Sequence, residues 1–223
     1  MPKSILPRNI QLENPPYHKH ADLFPNITGH FLIPVFESRY YGMSEKLNIR
    51  NTKYYKSKGG QTINLQKDIY FKELIKKIKI SVLRVSEHFF KVKEGYKVDV
   101  VSLWINSNEQ NMSHPPHNHM NTFLSGVLWL DGDKDKKYPP LKILRPYALP
   151  ILPIVNKHNE LNSNAITYAS EKDKIIFFPS YLFHYVDVNT LKTPRVSIAF
   201  DTILRGQYGE IIDNQETVGQ YKI

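Results

Sequence analysis

Between residues 69 and about 92, apolar side chains recur at helical spacing. Phe71, Leu74, Ile75, Ile78, Val82, Val85 and Phe89 share one face, while Lys72, Glu73, Lys76, Arg84 and Glu87 lie away from it. Asp68 is suited to be the N-cap. A helix with one apolar stripe has to pack on something, and the chain that follows supplies it. From residue 97 the pattern turns to short runs rich in branched and aromatic residues. These are 98–105, 124–130, 141–144, 166–168, 174–178, 184–188 and 195–204, separated by turn-forming stretches and by a Pro-rich loop over 146–164. Many short strands between turns predict a mainly β (α+β) jelly roll, with the helix as its support. Residues 1–68 show little periodicity apart from a candidate strand over 29–36. They predict an irregular wrapping segment, followed by the helix (69–95), the jelly-roll core (96–204) and a polar tail (205–223), all in one domain. No internal repeat is visible.

The 223 residues are enough for one substantial core. No apolar run approaches the ~20 residues of a membrane span, and the N-terminus lacks the apolar core of a signal peptide, so a cytoplasmic protein without membrane association is expected. The absence of cysteine removes disulfides, thiolate nucleophiles and iron–sulfur ligation together, leaving His, Asp and Glu as candidate metal ligands. The formal charge of +9 permits a nucleic-acid partner. However, the lysines are scattered, and a chain rich in Lys, Asn, Ile and Tyr follows equally from A/T-biased coding.

The chemistry concentrates around His114-Pro-Pro-His117-Asn-His119 and the apolar run after it. If 117–119 is extended, His117 and His119 point to one face about 6.6–6.8 Å apart at the backbone, a spacing suited to two ligands of one metal ion. His184 opens a later strand and could be a third ligand or a satisfied core histidine. Arg195 begins the last strong strand as Arg195-Val-Ser197. The short connection containing Asn189, Thr190 and Pro194 predicts that 184–188 and 195–204 form an antiparallel hairpin. Arg195 would then lie opposite Val188, about 13 Å along the strand from His184. An arginine reaching back would leave a gap that a five-carbon dicarboxylate could span, with the guanidinium fork gripping one end. Asn106 and Trp129 either line such a pocket or simply pack. His114 either supports the metal ligands from beside His117 or is simply a loop residue, with the loop reading favoured, while His88 reads as a surface or interface residue and the His18-Lys-His20 pair as a solvated loop.

The set His117-Asn-His119-Met-Asn, Ser125-Gly-Val-Leu-Trp-Leu130, Phe178-Pro-Ser-Tyr-Leu-Phe-His184 and Arg195-Val-Ser-Ile-Ala-Phe200 resembles the 2-oxoglutarate/iron oxygenase family common in marine bacteria and bacteriophages. Trp104-Ile-Asn106 and Ser57-Lys-Gly-Gly-Gln61 add to the likeness, which covers roughly 57–203. It implies a double-stranded β-helix with Fe(II) held by His117, His119 and His184. It also implies 2-oxoglutarate chelating that metal, with its C5 carboxylate on Arg195 and Ser197, and O2 as the oxidant. The reaction would decarboxylate 2-oxoglutarate to succinate and hydroxylate a small-molecule or peptide substrate. Two departures stand out. His119 occupies the position of the usual acid, giving three neutral imidazoles, and Trp129 stands where related enzymes carry a tyrosine. The turn before the strand at 174 has Asp173-Lys174 in place of Gly-Asp, which aspartate tolerates. A three-His dioxygenase independent of 2-oxoglutarate, or a non-enzymatic jelly-roll protein, are the rival expectations.

Overall fold

The computed structural model describes residues 33–132, 138–147, 154–159 and 162–208, together with the backbone of three short pairs beyond 210. All of these residues except Ile33 belong to the compact unit Pro34–Ile223. The candidate strand over 29–36 falls partly, and the His18–His20 pair wholly, outside them. In chain order the elements are β1 (Phe36–Arg39), α1 (Met43–Leu47), β2 (Gly60–Thr62), α2 (Lys72–His88), β3 (Lys97–Asn108), β4 (His114–His117), β5 (Leu124–Trp129), β6 (Leu141–Leu144), β7 (Ala165–Tyr168), β8 (Lys174–Pro179), β9 (His184–Val186) and β10 (Arg195–Arg205). Among the described residues no helix is long and apolar enough to cross a membrane.

Two antiparallel sheets form. The larger has the order β1-β8-β5-β10-β3-β2 and the smaller β4-β9-β6-β7. From β4 onward the chain changes sheet at every connection except β6–β7, which is the winding of a jelly roll. The mainly β expectation therefore holds, with one correction. Strands β9 and β10 do not form a hairpin. β9 pairs with β4 and β6 in the small sheet, whereas β10 pairs with β3 and β5 in the large one. The segment between them crosses from sheet to sheet, and Arg195 stands opposite Asn108, not Val188. Two further differences concern boundaries. β3 runs through the Asn106–Asn108 stretch expected to end it, because its register with β10 continues there. Residues 36–39 and 60–62, of which only Phe36 fell in an expected strand, supply the two edge strands of the large sheet. The polar tail also carries short antiparallel pairs, Gln207–Tyr208 with Tyr221–Lys222 and Ile211–Ile212 with Gln215–Glu216.

The helix starts as its pattern requires. Asp68 accepts the Tyr70 backbone N–H at 2.9 Å at the head of a 3-10 turn, and α2 continues from it. Phe71, Leu74, Ile78 and Val82 are completely buried. The buried hydroxyl of Ser86 is satisfied by donating to the Val82 carbonyl at 3.0 Å. α2 ends at His88, and Phe89, the last residue of the expected stripe, is half exposed. The stripe joins one core with Leu103 and Ile105 of β3, Leu128 of β5, Phe177 of β8, and Val196, Ile198 and Phe200 of β10. These are alternate residues, so their neighbours in the strands face the other way. On that inner face β10 presents Arg195, Ser197, Ala199 and Asp201, all buried. A central strand buried on both sides, but polar on one, is the signature of an internal site.

Gly126 of β5 lets the core close. A Cβ there would come 2.5 Å from the Ile176 carbonyl oxygen and 2.3 Å from the Phe200 ring. Since backbone cannot give way as a side-chain tip does, Gly126→Ala is expected to destabilise the protein by about 1–3 kcal/mol, read as a lowered urea midpoint with an unchanged m-value.

Candidate active site

Strand β4 ends at His117, which pairs directly with His184 of β9 across the small sheet. His119 follows β4, and its backbone N–H is tied to the Ser180 carbonyl at 2.9 Å. These fixings bring His117, His119 and His184 together, with one potential ligand nitrogen from each inside a 4.8 Å cluster. In each ring Nδ1 faces an oxygen that can only accept. His117 Nδ1 meets the Pro115 carbonyl at 2.8 Å, His184 Nδ1 the Leu182 carbonyl at 2.9 Å, and His119 Nδ1 the Asp201 carboxylate at 3.0 Å. Each Nδ1 therefore carries the hydrogen and donates it, and each Nε2 keeps its lone pair. Three preset lone pairs converging from two strands and a loop are the donor set of a transition-metal site. The His119 ring is also sandwiched. It stacks on Trp104 at 5.4 Å and 16°, and on His184 at 5.2 Å and 15°.

The cluster opens into a cleft of about 260 Å³ between the sheets, whose walls include Trp104, Asn106, His114, Tyr185, Arg195 and Ser197. Asn106 lines it, and its side-chain oxygen accepts from Gln61 Nε2 at 2.8 Å. Trp129 does not line it. It is completely buried behind Ser197, its cross-strand partner, and its indole N–H has no acceptor. His114 is not the loop residue expected. It sits on β4 in the cleft wall, with Nε2 3.0 Å from Asn108 Oδ1. Because that contact uses Nε2, His114 has the opposite proton arrangement from the three clustered histidines. His88 is exposed, as expected. Asp173 takes the left-handed conformation (φ 63°) in the turn before β8, where its carboxylate accepts the backbone N–H groups of Gly42 and Ser44.

Arg195 dominates the electrostatics. It is only 2% exposed, yet no carboxylate among the described residues contacts it. Its Nε–H donates to Ser170 Oγ at 3.0 Å, and one terminal nitrogen reaches Ser197 Oγ at 3.5 Å. The nearby Asp131 is already engaged by Arg50 at 2.7 Å and the Val196 N–H at 2.8 Å. Burial pulls the Arg195 guanidinium down to about 10, opposed in part by Asp131. Burial also holds His184 and His114 down to about 4, which leaves both imidazoles neutral in the fold. The unfolded chain protonates them near 6.5, so it takes up protons that the folded chain refuses between pH 6.5 and 4. Their contribution to stability is therefore complete above pH 6.5 and lost as pH falls toward 4, by about 1.4 kcal/mol per pH unit for each. Thermal melts of the metal-free protein are expected to fall steeply across that window, and His114→Phe is expected to flatten the slope.

Residues 102–201 match the family described as "Putative 2OG-Fe(II) oxygenase", a span that begins on β3 and ends at Asp201. That segment belongs to the 2-oxoglutarate/Fe(II) oxygenases. The match supports an Fe(II)- and 2-oxoglutarate-dependent oxygenase, and the three-histidine cluster fits the metal of that family. No curated protein matches the sequence. Among solved structures, a prolyl-4-hydroxylase from Pseudomonas putida is similar at 10% identity, over 78% of this chain and 94% of that one, with a TM-score of 0.52. HygX from Streptomyces hygroscopicus is similar at 8% identity. With nickel and 2-oxoglutarate bound, the match covers 76% of this chain and 81% of HygX at a TM-score of 0.52. With iron bound, it covers 76% and 82% at 0.53. At these identities the likeness is one of fold.

Proposed function

We propose that His117, His119 and His184 hold the Fe(II) through their Nε2 atoms, and that Arg195 receives the C5 carboxylate of 2-oxoglutarate, helped by the Ser197 hydroxyl. When bound, Fe(II) and 2-oxoglutarate supply the oxygen activation that oxidises a substrate C–H bond. The protein's own groups do the rest. The backbone carbonyls of Pro115 and Leu182 keep His117 and His184 in the ligating tautomer. The inner face of β10 keeps the anion end of the cleft dry, and Trp104 restrains His119 by stacking.

The observation that carries this reading is the unpaired Arg195. An uncompensated buried guanidinium costs several kcal/mol, a cost that an arriving carboxylate relieves. The cleft, walled by Trp104, Tyr185 and the Gln61–Asn106 amide pair, suits hydroxylation of a small molecule or a single peptide side chain. Iron-loaded protein should form succinate from 2-oxoglutarate under oxygen, and a panel of peptides and small metabolites should identify the substrate by faster succinate release. Unchanged 2-oxoglutarate affinity in Arg195→Ala would sink the assignment of Arg195.

A further inference from the structure

The three clustered histidines are not held alike. Two donate their Nδ1–H to neutral backbone carbonyls, and one, His119, donates to a carboxylate. Asp201 lies on the inner face of β10 and is 6% exposed. Its second oxygen accepts from Ser125 Oγ at 2.6 Å. The Ser125 hydroxyl has one hydrogen, so Ser180 Oγ, 2.9 Å away, donates to Ser125 in turn. The chain Ser180–Ser125–Asp201–His119 thus fixes both carboxylate oxygens. No lysine or arginine among the described residues pairs with Asp201, and its hydrogen-bonded ion-pair partner is His119.

We infer that Asp201 is a positioning residue that returns, through His119, the negative charge missing from an all-histidine ligand set. His119 occupies the ligand position at which an acid would otherwise sit, and it is this ring, rather than His117 or His184, that a carboxylate backs. An imidazole whose Nδ1–H is polarised by a carboxylate is a stronger donor at Nε2, and loss of such a partner typically weakens metal binding by roughly 10- to 100-fold. The inference rests on the metal-site assignment above.

Two measurements test it. Anaerobic Fe(II) titration by calorimetry is expected to give affinities at least tenfold weaker for Asp201→Asn and Asp201→Ala than for the native protein. The Asn variant keeps the shape and an acceptor but not the charge. Separately, 15N-histidine spectra of the metal-free native protein are expected to show His119 as the Nδ1–H tautomer, which needs no variant to fold. In Asp201→Ala the tautomer should move toward Nε2–H while those of His117 and His184 stay. An Nε2–H tautomer for His119 in the native protein overturns the inference, as do Asp201 variants that bind Fe(II) within twofold of native when His117→Ala does not. Iron binding that survives His117→Ala would remove the metal-site assignment itself, and this inference with it.

Discussion

Replacing Arg195 by methionine is expected to remove most 2-oxoglutarate-dependent turnover while making the ligand-free protein more stable. The two effects have one cause. In the free protein the guanidinium is buried with Ser170 and Ser197 hydroxyls and no contacting carboxylate. A buried charge replaced by an apolar chain of similar volume is often neutral or stabilising by about 1–4 kcal/mol. With 2-oxoglutarate present the balance reverses. Truncating one partner of a buried, hydrogen-bonded charge pair costs about 2–5 kcal/mol, a fall of roughly thirtyfold to several thousandfold in kcat/KM for 2-oxoglutarate. Fe(II) affinity should be little changed, since none of the three clustered histidines bonds to Arg195. Melting curves without ligand, steady-state kinetics in 2-oxoglutarate and a metal titration test the three parts independently. A variant that melts lower and turns over normally would show that the arginine serves the fold instead.

The second large effect concerns His184. Metal at a hundred times its dissociation constant stabilises a folded chain by about 2.7 kcal/mol. For a domain of this size that corresponds to roughly 5–10 °C in Tm. Native protein should show that rise with Fe(II) or Co(II) under nitrogen and lose it with a chelator. His184→Ala should lack the rise altogether, because His184 is the buried member of the cluster and binds from the opposite strand to His117. A full metal-dependent shift in this variant would place the ion elsewhere.

How far the sequence foretold this site depends on which contacts are local. α2 and most strands of the core were legible because alternation and helical spacing report burial directly. His117, His119 and His184 were legible as chemistry, and β4–β9 pairing brings them together. The sheet change between β9 and β10 was not. A connection of six residues, 189–194, between two expected strands reads as a hairpin, and nothing local shows that β10 finds better partners in β3 and β5. The route by which Arg195 was expected to reach the cleft was therefore wrong, although the structure does place it in the cleft wall. His114 was misjudged because two prolines suggest a loop, whereas at an edge strand proline is tolerated. Asp201 passed unnoticed, though the period-two pattern Arg195, Ser197, Ala199, Asp201 puts it on the same face as the arginine. Gln61 was noted only as part of a likeness, since its pairing with Asn106 depends on an edge strand too short to recognise.

β10 is held on both sides, by β5 and by β3, and carries Arg195 near one end of its inner face and Asp201 further along. The backbone positions of the arginine and of the carboxylate behind His119 are therefore set by one ladder. With Arg195 and the histidine cluster binding as proposed, the strand acts as a gauge for diacids. Oxo-acids one carbon shorter or longer than 2-oxoglutarate must leave either the arginine or the metal end unmet, and they should compete poorly even where their charge is identical.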